Sequence, residues 1–185
     1  MVEAGRASMR SDAEQNRARI LDVARAALGE SSAATLNSIA KKAGVGQGTM
    51  YRHFANREAL LLTLYRRDVE AVIEAAPALL AEHPPTEALR LWLDRLAAYS
   101  RIKHGVAQAV EAATRADLSS EYYDRVAAAI TLLLDAGKVA GQVRADFDAD
   151  DLLLLVGFLW RLDDRAYHAR SQRLLTTVLD GLRTG

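Results

Sequence analysis

Apolar residues recur at spacings of three and four along nearly the whole chain, separated by polar and charged positions, which is the period of helices buried on one face. Ser11 with Glu14 has the form of a capping box, and the helix it predicts turns Ile20, Val23, Ala24, Ala27 and Leu28 inward until Gly29. Thr35 predicts the cap of a short second helix through Ile39, Ala40 and Ala43, which Gly44 ends by reversing the chain. A third helix opens near Gly46, with Val45 entering the core before it and Met50 and Phe54, four apart, forming its buried stripe. Asn56 caps a long fourth helix carrying Leu60, Leu61, Leu64, Val69, Val72 and Ile73 until Pro77 ends or kinks it.

Pro84 and Pro85 mark a turn, and Thr86 is read as the cap of a helix with Leu89, Trp92, Leu93, Leu96 and Tyr99 on its apolar face, closed by Gly105. A short helix is predicted from Val106 to Thr114, then another from Ser119 or Ser120 through Tyr122, Val126, Ile130 and Leu133 to Ala140, where Gly141 stops it. Asp148 with Asp151 starts an apolar helix through Trp160, and a last helix runs from Arg165 to Leu182. Strand signals are nearly absent, so the predicted fold is all-α with about nine helices and no internal repeat. The expected organisation is a flexible arm over 1–10, a three-helix helix-turn-helix unit over 11–56, and a larger helical domain over 57–185.

Composition narrows this picture. With 185 residues, half of them hydrophobic, the chain is long enough for a small unit and a larger domain with its own core. The absence of cysteine excludes disulfides, thiol chemistry and cysteine-ligated metal centres. Met1 to Arg10 contains no apolar run, and Leu152 to Trp160 is too short to span a bilayer, so a cytoplasmic protein with no membrane partner is expected.

The formal net charge is zero, yet no acidic residue lies between Lys41 and Arg57. Phosphate binding depends on that local field rather than on the total. On the third helix, Gln47, Gly48, Thr49, Tyr51 and Arg52 fall at the start or on the side away from Met50 and Phe54, and His53 flanks them; none has a core role. In a major groove, Gln47 fits adenine N6 and N7, while Thr49 or the Tyr51 ring fits a thymine methyl. Lys41, Lys42, Arg52 and Arg57 are suited to phosphates. The plainer reading is a surface helical hairpin with solvated charges, but Ala43 and Gly48 permit a close backbone approach that such a hairpin does not need.

This stretch resembles the DNA-binding domain of the TetR/AcrR family of bacterial transcriptional regulators. The residues in register are Thr35, Ile39, Ala40, Ala43, Gly44, Val45, Gly48, Tyr51, His53, Phe54 and Leu60. Gly46 stands where serine is common and Arg57 where lysine is common; glycine still caps and arginine keeps the charge. The resemblance implies Thr35, Tyr51, His53 and Arg57 at the DNA backbone and Asn37, Gln47, Gly48, Thr49 and Arg52 facing bases. Asn37 reads equally well as a helix-start residue bonded locally.

Other clusters carry less. Asp146, Asp148, Asp150 and Asp151 gather where a helix begins, and capping explains them better than metal binding, since a calcium loop needs a glycine and a distal glutamate absent here. Asp164 and His168 are four apart, which suits an ion pair better than a zinc site. His83, His104 and His168 have no nucleophile partner in a known motif, so neither an enzyme nor a cofactor or metal is expected.

Leu152, Leu153, Leu155, Val156, Phe158, Leu159 and Trp160 are apolar on nearly all sides, followed by Leu174, Leu175, Val178, Leu179 and Leu182. One face suffices for the domain's own core, leaving the other for a partner. The resemblance implies a homodimer through the last two helices, two recognition helices on a pseudo-palindromic double-stranded operator, and release when an unidentified small-molecule effector binds the larger domain. Candidate pocket residues are Trp92, Tyr99, Tyr122 and Phe158, with Arg95 or His104 supplying polarity; rings at helical spacing also suit ordinary core. A ligand-responsive repressor is the leading expectation. A helical scaffold of the same fold that no longer reads an operator is the alternative.

Overall fold

The computed structural model describes residues 2–31, 33–109, 112–162 and 167–184, with side chains described from residue 14 except those of 32, 101, 104, 105, 107–119 and 163–166. Among the described residues there are eight α-helices and one 3-10 helix: α1 (Val2–Glu30), α2 (Leu36–Lys42), α3 (Gln47–His53), α4 (Arg57–Glu82), α5 (Pro85–Ala109), α6 (Ala112–Val139), α7 (Ala149–Leu155), the 3-10 helix Val156–Trp160, and α8 (Tyr167–Leu182). A lone antiparallel bridge joins Val143 to Arg183, tying the turn after α6 to the end of α8.

Local chemistry sets most boundaries. Thr35 caps α2, accepting from the Ser38 amide at 3.2 Å while the Ser38 hydroxyl accepts from the Thr35 amide at 3.0 Å. Asn56 caps α4 through the Ala59 amide at 2.8 Å, and Asp148 with Asp151 forms the capping box of α7. Gly44 and Gly141 reverse the chain at φ of 65° and 66°, the left-handed region where a side chain is strained.

Several expected boundaries move. α1 starts at Val2, not Ser11, so the segment expected as a flexible arm is helical from Val2 on; Ala4, Ala7, Met9 and Arg10 are good helix formers and no proline interrupts them. The Ser11 side chain and the Asp164 half of the Asp164–His168 pair lie outside the described residues. Pro77 does not end α4: it sits on the exposed side while Ala75, Ala76 and Leu79 stay buried, and the helix continues to Glu82. Pro85, rather than a residue after a Thr86 cap, is the first helical position of α5, where its missing amide costs nothing. α5 passes through Gly105 instead of closing there, with Ile102 and Val106 both buried, so Val106 belongs to α5 and Thr114 to α6 rather than to a short helix of their own. The predicted helix through Trp160 tightens at Val156 into the 3-10 helix.

α4 is the spine of the molecule. It packs most extensively on α5 and then α6, while α1 touches α2, α4 and α5, and α2 packs on α3. One hydrophobic core runs from Ile20, Ile39, Met50 and Phe54 at the small-helix end through Leu60, Leu61 and Leu64 to Leu93, Leu96, Ile130 and Leu133. No helix among the described residues is long and apolar enough to cross a membrane.

Candidate functional site

At the small-helix end, the burial of Met50 and Phe54 decides what α3 offers outward. Met50 is fully buried and Phe54 nearly so, and the Arg17 guanidinium of α1 lies 4.9 Å from the centre of the Phe54 ring, bracing α3 from behind. The opposite face is left in solvent. Gln47, Gly48 and Arg52 are exposed, Tyr51 is 49% exposed, and Thr49 and His53 are half-buried. His53 leans on Phe54 with ring centres 6.3 Å apart.

Arg52 folds back over its own helix, donating from Nε to the Gly48 carbonyl at 3.1 Å and from a terminal nitrogen to the Thr49 hydroxyl at 3.3 Å. Both are light surface bonds that a base edge or phosphate can replace. Thr35 and Asn37 are exposed at the start of α2, with the Thr35 hydroxyl held in its cap. Lys41 is exposed, and Lys42 pairs with Glu30 at 2.8 Å. Arg57 differs from the others: it is half-buried and donates from Nε to the Ala34 carbonyl at 3.1 Å, which fastens the start of α4 to the loop before α2.

The candidate pocket residues do not come together as the sequence grouped them. Trp92 is fully buried and donates its indole N–H to the Val72 carbonyl at 2.8 Å, so it is core between α5 and α4. Arg95 lies on another side, in a wide cleft of about 610 Å³ shared with Arg25, Ala71, Ala98 and His168. Phe158 packs half-buried against the core. The His104 side chain lies outside the described residues.

Tyr99 and Tyr122 do meet, at a cleft of about 80 Å³ between α4, α5, α6 and the α7 end, together with Tyr65, Lys103, Tyr123 and Trp160. The Tyr65 ring centre is 5.6 Å from that of Tyr99 and 5.9 Å from that of Tyr122, and Trp160 stands edge-on to Tyr99 at 6.2 Å. Burial pushes the Tyr99 phenol well above its usual range, so it stays protonated. The sequence signal for Lys103 was its place four residues after Tyr99 on the apolar face of α5, with Leu96 three residues before Tyr99. Tyr65 had the same kind of signal, four residues after Leu61 and four before Val69.

The acidic cluster resolves as local structure. Asp148 and Asp151 cap α7, Asp146 takes two bonds at 2.7 Å from Arg144, and Asp150 accepts from the Tyr123 hydroxyl at 2.8 Å.

Known proteins resemble this chain at both ends. Residues 20–64 match the family described as bacterial regulatory proteins, tetR family, and residues 84–184 match the family described as transcriptional regulator SbtR-like, C-terminal domain. Among solved structures, a TetR transcriptional regulator from Streptomyces coelicolor is 38% identical, with 90% of this chain and 98% of that chain covered and a TM-score of 0.75. A TetR transcription regulatory protein from Mycobacterium vanbaalenii is 32% identical over 95% of this chain and 99% of that one, with a TM-score of 0.71. An HTH-type transcriptional regulator of Staphylococcus aureus (strain USA300) is 32% identical over 107 residues, 56% of this chain and 58% of the relative, so the match spans little over half the length of that relative.

Proposed function

The chain belongs to the TetR family of bacterial regulatory proteins, a family of DNA-binding transcriptional regulators rather than enzymes, and from that premise we propose that it is a homodimeric repressor released from a pseudo-palindromic operator by a small molecule. Residues 11–56 form the reading unit and 57–185 the effector-binding and dimerisation unit. Gln47, Gly48, Thr49 and Arg52 meet base edges, with Asn37 beside them, while Thr35, Tyr51, His53 and Arg57 meet the DNA backbone.

One observation carries the ligand response: α4 belongs to both ends. Arg57 bonds the Ala34 carbonyl in the loop before α2, and Arg67 with Asp22 at 2.8 Å and Asp68 with Arg25 tie the same helix to α1, while Tyr65 and Val69 on it wall the aromatic cleft. A ligand that shifts α4 therefore changes the spacing of two recognition helices without touching DNA, provided it binds the two geometries unequally. Support for the dimer comes from Leu154 and Leu155 of α7, 80% and 48% exposed, and Leu174 of α8, 36% exposed; large apolar side chains left in solvent on the last helices suit a partner surface.

The test is to select bound fragments from genomic DNA with the purified protein, determine the protein-to-site ratio, and screen small molecules for release. Two protomers per site and at least one releasing compound are expected. One protomer per site, or no fragment preferred over random DNA, contradicts the reading.

A further inference from the structure

Lys103 is the single formally charged side chain among the described residues that wall the aromatic cleft. Among the described residues no carboxylate pairs with it. Its ammonium nitrogen lies 4.5 Å from the centre of the Trp160 ring, a cation–π contact that offsets only part of the cost of leaving water. Burial accordingly pulls its pKa below the ordinary lysine value, with desolvation as the sole cause.

Its surroundings select for a ligand. Tyr65 and Tyr99 are hydrogen-bonded to each other and the Tyr123 hydroxyl is committed to Asp150, so the rings offer faces and edges more than free donors. Val69, Leu96, Val126 and Leu153 complete an apolar wall. A positive charge recessed in aromatic and aliphatic surface, open at the half-exposed Tyr123, favours a small anion that brings its own flat apolar body. The cleft of about 80 Å³ suits one ring better than a fused polycycle.

We propose that this cleft binds a single-ring aromatic carboxylate, its carboxylate paired with Lys103 and its ring held between Tyr99, Tyr122 and Trp160. The assignment rests on the reading of the larger domain as the effector-binding unit. It goes further by fixing the ligand's charge, its size and the residue that selects it. Arg95 and Trp92 take no part.

The probes are benzoate and 4-hydroxybenzoate, with benzamide as the neutral isostere and benzylammonium as the cation, titrated into the full chain by calorimetry. The indole N–H resonances report location: the chain has two tryptophans, and Trp160 is expected to shift while Trp92, bonded to Val72, stays. A carboxylate is expected to bind at least ~10-fold more tightly than benzamide, the discrimination a charge-assisted hydrogen bond supplies in a desolvated site. Lys103→Met is expected to remove that preference while keeping or raising the melting temperature, because it relieves a desolvated charge. Equal affinity for benzoate and benzamide, retention of the preference in Lys103→Met, or no saturation by either carboxylate up to ~10 mM overturns the proposal. DNA release is measured separately. Carboxylate binding without release leaves this assignment standing and sinks the effector reading, whereas release by neutral compounds alone, with no carboxylate bound, does the reverse.

Discussion

Arg25 donates from Nε to Oδ2 of Asp68 at 3.1 Å, joining α1 to the middle of α4. The pair is lopsided: the Asp68 side chain is 2% exposed and that of Arg25 is 51% exposed. Burial raises the Asp68 pKa above its ordinary 3.8 more strongly than Arg25 and Arg67 lower it.

A sign follows for stability. The native state holds the Asp68 proton more tightly than the unfolded chain does, so this group's contribution is largest below the ordinary carboxylate pKa and declines as pH rises through the raised native value. Asp68→Asn removes the titration. The stability of the parent relative to Asp68→Asn, from urea denaturation, is expected to be most favourable in acid and to fall towards neutral pH; a difference that grows with pH contradicts the assignment.

Gly137 is required by a neighbour rather than by its backbone angles. A Cβ there would lie 2.5 Å from Cγ2 of Val143, at the turn that the Val143–Arg183 bridge closes. Gly137→Ala is expected to cost about 1–3 kcal/mol, with part of the loss recovered when Val143→Ala is added. A double-mutant cycle checks this, and simple additivity of the two losses would argue against the clash.

Gly44 is required by its φ of 65° at the α2–α3 turn. Gly44→Ala is expected to destabilise by about 1–2 kcal/mol and Gly44→Asn by less, because asparagine tolerates the left-handed region. Unchanged denaturation midpoints for both variants would show that the turn has another conformation.

Lys41 and Arg57 should separate in salt titrations of DNA affinity. Lys41 is exposed, so Lys41→Ala is expected to flatten the slope by about 0.9 with stability unchanged, as for one lost phosphate contact. Arg57→Ala is expected to lower stability as well, by about 1.5–3 kcal/mol, since its half-buried guanidinium bonds the Ala34 carbonyl. Full stability in Arg57→Ala would remove the structural role given to that bond.

What the sequence made legible was local. The Thr35, Asn56 and Asp148 caps, the glycine stops at Gly44 and Gly141 and the Met50–Phe54 stripe each depend on neighbours within a turn, and each stands where the pattern put it. Gly105 and Pro77 misled because one breaker costs only about 1 kcal/mol for glycine or 3 kcal/mol for proline, which buried neighbours such as Val106 and Leu79 outweigh. The aromatic cleft was the least legible part. Its walls converge from five elements, and nothing in the spacing of α5 distinguishes Trp92, which faces α4 as core, from Tyr99 and Lys103, which face the cleft.

The central claim is that the exposed side of α3 reads DNA sequence. The direct measurement compares affinity for a selected genomic fragment with affinity for random DNA of equal length and salt, for the parent and for Gln47→Ala combined with Tyr51→Ala. Both side chains are exposed, so helicity and melting temperature should stay at parental values. The account predicts a parental preference of about 10³-fold or more that collapses by at least two orders of magnitude in the double variant. A well-folded double variant that keeps the parental preference would contradict it.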